Sequence, residues 1–286
     1  MRIVAELPEL RRQYEQIVAS KPNHSFFSLI WVQDILHPYW KYVLDEQGTL
    51  LIRIPVAKKF GVKAYLQPLF IRSIPMLFDE QSFQTEKLVA FLKKQKLLHI
   101  NLNGYLNKDL KIKYGKFQTL SNIEGPHTFR KGYAENIKRS LKKANQLFAK
   151  EIDYTDFHTF FTKQKGENIG SLNAAAWSRL EILADSAKSK NALYCCGAFL
   201  EGQLLAVALF FNWNKTLYFM KGTLNDEGKK VGALIFLIDG VLEKFEDTCN
   251  TIDFIGSNQE SIAAFYRKFG AKDRFYSIIK GRIRVV

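Results

Sequence analysis

Residues 192–245 constrain the fold more than any other stretch of the chain. Three apolar runs, 192–200, 204–212 and 216–222, are separated by turn residues at Glu201-Gly202 and Trp213-Asn214. Runs of this length broken by such turns predict three consecutive strands. Val231, Leu234, Ile235, Ile238, Val241, Leu242 and Phe245 then recur at helical spacing and predict a helix over 231–246. Around this block, residues 151–154 predict a short strand. Residues 156–165 and 172–188 predict helices, the second with Ser171 as N-cap. Residues 252–255 predict a buried strand, 258–269 a helix stopped by Gly270, and 275–285 a last strand. The order is β-α-α-β-β-β-α-β-α-β.

The first half shows the same order more faintly. Residues 2–4 are a candidate strand, 7–19 and 27–36 candidate helices. Strands follow at 40–44, 49–56 and 64–70, then a helix at 81–94, a strand at 97–102, a short helical turn and a strand at 116–120. The repeat rests on element order, since the halves share no detectable sequence likeness. Residues 121–132 contain Gly125-Pro126 and read as a linker. This predicts one domain over 1–125 and a second over 126–286. Residues 133–149 then predict a helix. On it Lys138, Arg139, Lys142 and Lys143 share one side, and Ile137, Leu141, Ala144 and Phe148 form an apolar stripe.

The composition fits globular domains. The chain has 286 residues, 47% hydrophobic and 24% charged, which excludes disordered and fibrous classes. No apolar run approaches the ~20 residues of a membrane span. The first sixteen residues are interrupted by charges, unlike a secretory signal. Cys195, Cys196 and Cys249 are odd in number and two are adjacent, so no disulfide framework is implied. A reducing cytoplasm is the expected compartment. The histidines are scattered and no Cys-x-x-Cys pair occurs, so no metal site is expected. The net charge is +14. Residues 111–150 hold ten basic side chains against Glu124 and Glu135. Such a surface favours phosphates of a cofactor, a nucleic acid or a membrane face, and it equally serves solubility.

A candidate anion seat lies at Gly228-Lys229-Lys230-Val231-Gly232-Ala233, at the start of the expected helix. A helix N-terminus presents unpaired N–H groups and about half a positive charge. Glycine permits close backbone approach, and Lys229 and Lys230 add charge. A structural turn with solvated lysines would use the same residues.

The element order, with a glycine between basic residues and a helix start, resembles the GNAT acyltransferase superfamily. Its loop pattern is Gln/Arg-x-x-Gly-x-Gly/Ala, and the loop amides cradle the pyrophosphate of coenzyme A. Lys229 stands at the first position, Gly232 at the fourth and Leu234 at the sixth, so the glycine alone fits strictly. Asp253-Phe254-Ile255-Gly256-Ser257-Asn258 and Ala263-Ala264-Phe265-Tyr266-Arg267-Lys268-Phe269-Gly270 look like the late strand and helix of that superfamily. There an Asn after the strand contacts the cofactor and a Tyr on the helix protonates the leaving thiolate; Asn258 and Tyr266 match. Asn136-Ile137-Lys138-Arg139-Ser140-Leu141-Lys142-Lys143-Ala144 is similar to a stretch of FemAB-like, double-GNAT proteins, and Leu66-Gln67-Pro68-Leu69-Phe70 resembles their first domain. The resemblance implies an α/β (α+β) chain of two tandem GNAT-like domains of bacterial type, each a mixed, mostly antiparallel sheet flanked by helices. Family donors are acyl-CoA or aminoacyl-tRNA. Residues 156–190 have room for two ordinary helices and not for the long helical arm of the peptidoglycan-bridge members.

No Gly-x-Ser-x-Gly, His-Glu-x-x-His or dinucleotide fingerprint occurs. Cys195 and Cys196 lie within an apolar strand pattern and read as core. Direct attack of an amine on a bound thioester or ester is the simplest reaction. Backbone N–H groups at Met220-Lys221-Gly222 would hold the oxyanion. The strand at 216–222 carries no acid to serve as base. Asp253 and Glu260 are near in the pattern but suit a turn and a first helical turn equally. Tyr266 shares an apolar face with Ile262 and Phe269, so core packing is its other reading. The expected site is therefore Tyr266 as catalytic residue, with Met220, Lys221, Gly222, Lys229, Lys230, Val231, Gly232, Ala233 and Asn258 around acyl-CoA, acetyl-CoA for example. An amine-bearing small molecule or peptide is the acceptor. The alternatives are an aminoacyl-tRNA-dependent transferase using the basic segment as a phosphate track, and a non-catalytic binding protein on the same scaffold.

Overall fold

The computed structural model describes residues 1–59, 61–78, 83–123, 125, 127–166, 172–255 and 258–282. The chain packs as two compact units, Met1–Lys116 with Phe275–Val286, and Phe117–Arg274.

In the first unit, β1 (Arg2–Ala5), β2 (Trp40–Leu44) and β3 (Leu50–Pro55) form an antiparallel sheet in that order. Between β1 and β2 lie α1 (Pro8–Ser20) and α2 (Ile30–Leu36). α1 begins at a proline, whose fixed φ and missing N–H suit a first helical position. A hairpin, β4 (Ala57–Lys59) and β5 (Val62–Leu66), follows; after α3 (Phe83–Lys93) comes β6 (Leu98–Leu102), parallel to β5. Tyr14, Tyr42, Leu44 and Leu50 are buried together in one core cluster, and Ile52, Ile54, Leu88, Leu92 and Ile100 in another.

β7 (Lys113–Ser121) carries the chain into the second unit. There follow α4 (Glu135–Lys143), β8 (Phe148–Glu151), α5 (Tyr154–Lys165), α6 (Ala174–Lys188), β9 (Leu193–Leu200), β10 (Gln203–Trp213) and β11 (Thr216–Leu224). After these come α7 (Asp226–Val231), α8 (Ala233–Phe245), β12 (Thr251–Asp253), α9 (Glu260–Arg267) and β13 (Lys272–Lys280). The sheet order here is β7-β12-β11-β10-β9-β8, antiparallel except for the parallel pair β11/β12. β13 then returns to the first unit, where Ser277–Lys280 pair antiparallel with β6. β10 reads as an unbroken apolar run because both its faces are covered. Leu237, Ile238 and Val241 of α8 pack with Ala206, Ala208 and Phe210, and α5 covers β10 and β11 from the other face.

The mixed α/β class, with helices flanking sheets, is as the sequence predicts. Two self-contained tandem domains are not resolved in the sheet topology, because β7 and β13 each contribute residues to both units. The first half also departs from the expected repeat. Its strands β2 and β3 pair with β1 in a sheet of their own, while β5 pairs with β6 and β6 with β13. The hairpin strand β4 was not expected, because three lysine-rich residues carry no alternating apolar signal.

Three helices differ from expectation. The helix expected over 133–149 is the shorter α4, preceded by a 3-10 turn at Thr128–Gly132, and the chain is already extended at Phe148, which stacks on Phe199 at 5.3 Å. The helix expected from Val231 is α8, and a short helix that was not expected, α7, precedes it and is parted from it at Gly232. Asn225 starts α7 by accepting from the Gly228 N–H at 2.7 Å, and Gly232 stops it at φ 74°. Asn173, not Ser171, caps α6, accepting from Ala176 N–H at 3.0 Å; Ser171 lies outside the described residues. So do Glu124 and Pro126 of the expected linker, and residues 283–285 of the last strand.

Candidate functional site

The second unit's sheet parts beside the residues singled out from the sequence. Among the described residues β11 pairs with β12 over Thr216–Tyr218 only, opposite Thr251–Asp253. β12 ends there, while β11 continues to Leu224. Within that free stretch the β10/β11 register jumps: Leu209 faces Lys221 but Phe210 faces Phe219. Met220 is therefore the extra residue of a β-bulge, which re-aims the side chains beyond it. Gly222 faces Ala208, on the α8 face. A Cβ there would come within 2.7 Å of the Phe219 ring and 3.1 Å of Leu234. Lys221, one residue earlier, is turned to the opposite face with Leu209.

The loop after β11 is built on glycine contacts. A Cβ on Gly228 would meet the Leu205 carbonyl oxygen at 2.6 Å, so only glycine lets α7 lie this close to β10. Gly232 has φ +74°, and a Cβ there would stand 3.2 Å from Cβ of Ser140 on α4. Lys229 and Lys230 close α7 and are exposed; Val231 is half-buried and Ala233 buried at the start of α8. α8 is held by Arg130, which donates to Asp239 at 2.9 and 2.6 Å and to Glu243 at 2.8 Å. The close approach of α4 was not visible in the sequence, because a contact over ninety residues apart leaves no local period. It places exposed Lys138, Arg139, Lys142 and Lys143 on the helix that touches the Gly232 turn.

Tyr266 on α9 is largely buried. Its ring stacks on Phe254 at 4.3 Å and meets Phe219 edge-on at 6.1 Å. It thus touches the bulged part of β11, and burial pushes its hydroxyl up to about 12. Lys221 is largely buried and makes no ion pair or hydrogen bond with the described residues. Burial alone pulls its ammonium below the usual lysine range. Asn258 is exposed between β12 and α9, and its neighbours Gly256 and Ser257 lie outside the described residues. Asp253 is buried and accepts from the Ile255 N–H at 2.7 Å, which is a turn-capping contact. Glu260 is held by Arg267 at 2.6 Å, and Arg267 also grips Asp273 at 3.1 and 2.8 Å. Neither acid is free to act as a base on β11. Cys195 and Cys196 are buried in β9; burial pushes the Cys195 thiol up to about 12 and Cys196 up as well. Both stay protonated and unreactive. Among the described residues no group of three His, Cys, Asp or Glu gathers as a metal site requires, and no helix is long and apolar enough to cross a membrane.

No family model and no curated protein matches the chain. Several solved structures do. A structure of FemX has a TM-score of 0.65 at 13% identity, covering 97% of both chains. A conserved protein of unknown function from Bacteroides thetaiotaomicron has a TM-score of 0.56 at 10% identity, over 94% of this chain and 97% of that one. A tandem GNAT protein from the clavulanic acid biosynthesis pathway has a TM-score of 0.54 at 12% identity, over 97% and 96%. At these identities the likeness is one of fold: the chain has the GNAT/FemAB-like fold along nearly its whole length.

Proposed function

We propose that the chain is an N-acyltransferase that moves an acyl group from acyl-CoA to an amine by direct attack. The observation that carries this reading is the opening between β11 and β12, flanked by the Met220 bulge and by Tyr266. Backbone groups of Phe219–Leu224 lie beyond the end of β12, so that edge of β11 can take a pantetheine-like amide chain as a strand would. The phosphates would sit at Lys229, Lys230, Val231, Gly232 and Ala233, where two exposed lysines directly precede the first amides of α8. Gly222 lets the Phe219 ring and Leu234 close against β11 between the bulge and the loop.

The acceptor amine attacks the thioester carbonyl and the carbon–sulfur bond then breaks. N–H groups at the Met220 bulge hold the oxygen of the tetrahedral intermediate. The Tyr266 hydroxyl, raised by burial, stays protonated at neutral pH and donates a hydrogen bond to the departing thiolate. With no carboxylate on β11 and with Asp253 and Glu260 engaged elsewhere, the acceptor must arrive as the neutral amine or lose its proton to water. Calorimetry with acetyl-CoA tests the reading. Native protein should bind, and Lys229→Ala/Lys230→Ala should bind at least roughly tenfold more weakly, as expected for losing charge-assisted contacts. Absence of binding to any acyl-CoA at millimolar concentration would overturn it.

One observation favours a second reading, transfer from aminoacyl-tRNA: α4, with its four exposed basic residues, touches the Gly232 turn. Lys138→Glu/Lys142→Glu should then weaken tRNA binding and flatten its salt dependence by about 0.7–0.9 in log–log slope per lost phosphate contact. Unchanged tRNA binding excludes it, and failure of both donors leaves a binding scaffold.

A further inference from the structure

In the first unit, four charged side chains close a ring. Arg53 on β3 is 1% exposed. It donates to Glu6 Oε2 from Nε at 3.2 Å and Nη2 at 2.7 Å, to Asp34 Oδ1 at 2.6 Å and to Gln33 Oε1 at 2.9 Å. Arg11 on α1 takes the remaining oxygens, Glu6 Oε1 at 2.8 Å and Asp34 Oδ2 at 2.7 Å. Each of the four carboxylate oxygens accepts from one of the two guanidinium groups, so the ring is internally satisfied and neutral. The Arg53 guanidinium also lies 4.7 Å from the centre of the Trp40 ring.

A cavity of about 930 Å³ opens over this ring, lined also by Tyr39, Lys41 and Lys58. That is the size of a small-molecule site. Since Glu6 and Asp34 are already balanced, the charge left over is that of the lysines. Lys58 is the cross-strand partner of Lys63 in the β4/β5 hairpin. The Lys63 ammonium lies within hydrogen-bonding reach of Lys41 and, together with partial burial, holds Lys41 below the usual lysine range. None of the three lysines makes an ion pair with an acid among the described residues. Ammonium groups donate and cannot accept, so the Lys41–Lys63 contact is repulsive as it stands. An anion accepting from both would replace that repulsion with charge-assisted hydrogen bonds. Tyr39, at the cavity rim, is 68% exposed and offers an open ring face.

We infer that this cavity binds a small phosphorylated ligand, its phosphate oxygens held by Lys41 and Lys58 of the cavity wall and by Lys63, which lies behind the wall as the cross-strand partner of Lys58, with a flat group of the ligand lying on Tyr39. Three donors, two from the β4/β5 hairpin and one from β2, match an anion with three acceptor oxygens better than a carboxylate with two. The site shares no residue with the acyl-transfer site, and the two readings stand or fall separately.

The test uses the full chain carrying Lys229→Ala/Lys230→Ala, so that the other candidate phosphate seat does not contribute. Inorganic pyrophosphate is the probe, and reductive methylation of individual lysines, read by mass spectrometry, is the signal. Pyrophosphate at millimolar concentration should slow methylation of Lys41 and Lys63 roughly tenfold, as loss of access in a charge-assisted contact implies, and leave Lys94 and Lys190 unaffected. Lys63→Gln should raise the melting temperature without ligand and abolish the further rise that pyrophosphate gives. Unchanged methylation, or a pyrophosphate-induced rise that survives Lys63→Gln, would overturn the site. Adenosine monophosphate should protect at lower concentration than inorganic phosphate, and Tyr39→Ala should remove that advantage. Equal protection by the two would overturn the ring contact.

Discussion

At the scale of single residues, Lys221 and Tyr266 give opposite expectations. Lys221 is a largely buried ammonium without a partner acid among the described residues, so the fold is more stable without it. Its lowered value means that the unfolded chain binds more protons between the folded and unfolded values, and stability rises with pH across that window. Lys221→Met should therefore raise stability at neutral pH by about 1–2 kcal/mol, with the gap to the native protein closing as pH rises through the ordinary lysine value. Melting curves at neutral and alkaline pH measure this; a lower melting temperature for the variant would mean a hidden counter-charge. Tyr266→Phe keeps the ring stacked on Phe254 and should leave the melting temperature nearly unchanged. If the hydroxyl serves the leaving thiolate, acyl transfer should fall about 10–100-fold, the worth of a hydrogen bond to a charged group. An unaltered rate would make Tyr266 a core residue.

At the scale of the element, the break between α7 and α8 separates two kinds of glycine. Gly232 needs its left-handed backbone, and Ser140 occupies the space where a side chain would go. Gly232→Ala should cost about 1–2 kcal/mol for the left-handed conformation, before any contact with Ser140 is counted. Gly240 lies inside α8 with nothing within 4 Å of a Cβ built on it. Gly240→Ala should stabilise by about 0.5–1 kcal/mol, since it only removes freedom from the unfolded chain. Chemical denaturation of the pair gives both numbers. The same geometry means that Gly232→Asp, an obvious way to block a phosphate, would damage the turn as well as the seat. The exposed pair Lys229 and Lys230 is the cleaner probe.

At the scale of the whole molecule, the chain's two crossings between units make its C-terminus structural. Ser277 on β13 accepts from the Leu106 N–H at 3.2 Å and donates to the Gly104 carbonyl at 3.0 Å, and Ile279 is buried with the first unit's core. Ending the chain after Arg274 removes one of the two strands that pair with β6, leaving β5 on its other edge. The truncated protein should lose protection of residues 98–102 in hydrogen exchange, although the truncation lies far from them in sequence. Retained protection would show that β6 holds without β13. The basic helix behaves differently. Lys138 makes only an exposed contact with Glu135 at 2.7 Å, so Lys138→Glu/Lys142→Glu should shift stability by less than about 1 kcal/mol.

The sequence by itself determined the elements with strong local periods. The strand triplet ending in β11, α8, β12 and α9 are where the apolar pattern puts them, as are β1, β2 and the helices α1 and α3 within a few residues. The basic face of α4 was equally legible, because charge on one side of a helix needs no partner to be read. Tertiary structure alone decided the rest. That Gly232 ends one helix and begins another follows from Asn225 capping α7 and from Ser140 filling the space beside the turn. The side to which Lys221 turns was set by the bulge at Met220, a single extra residue that reverses the alternation a strand otherwise imposes. The exclusion of Asp253 and Glu260 as bases came from their hydrogen bonds to Ile255 and Arg267. The exchange of strands between units, and the gathering of Lys41, Lys58 and Lys63, depend on pairings between residues distant in sequence or from separate strands. Periodicity reports which face of an element is buried, but not which other element buries it.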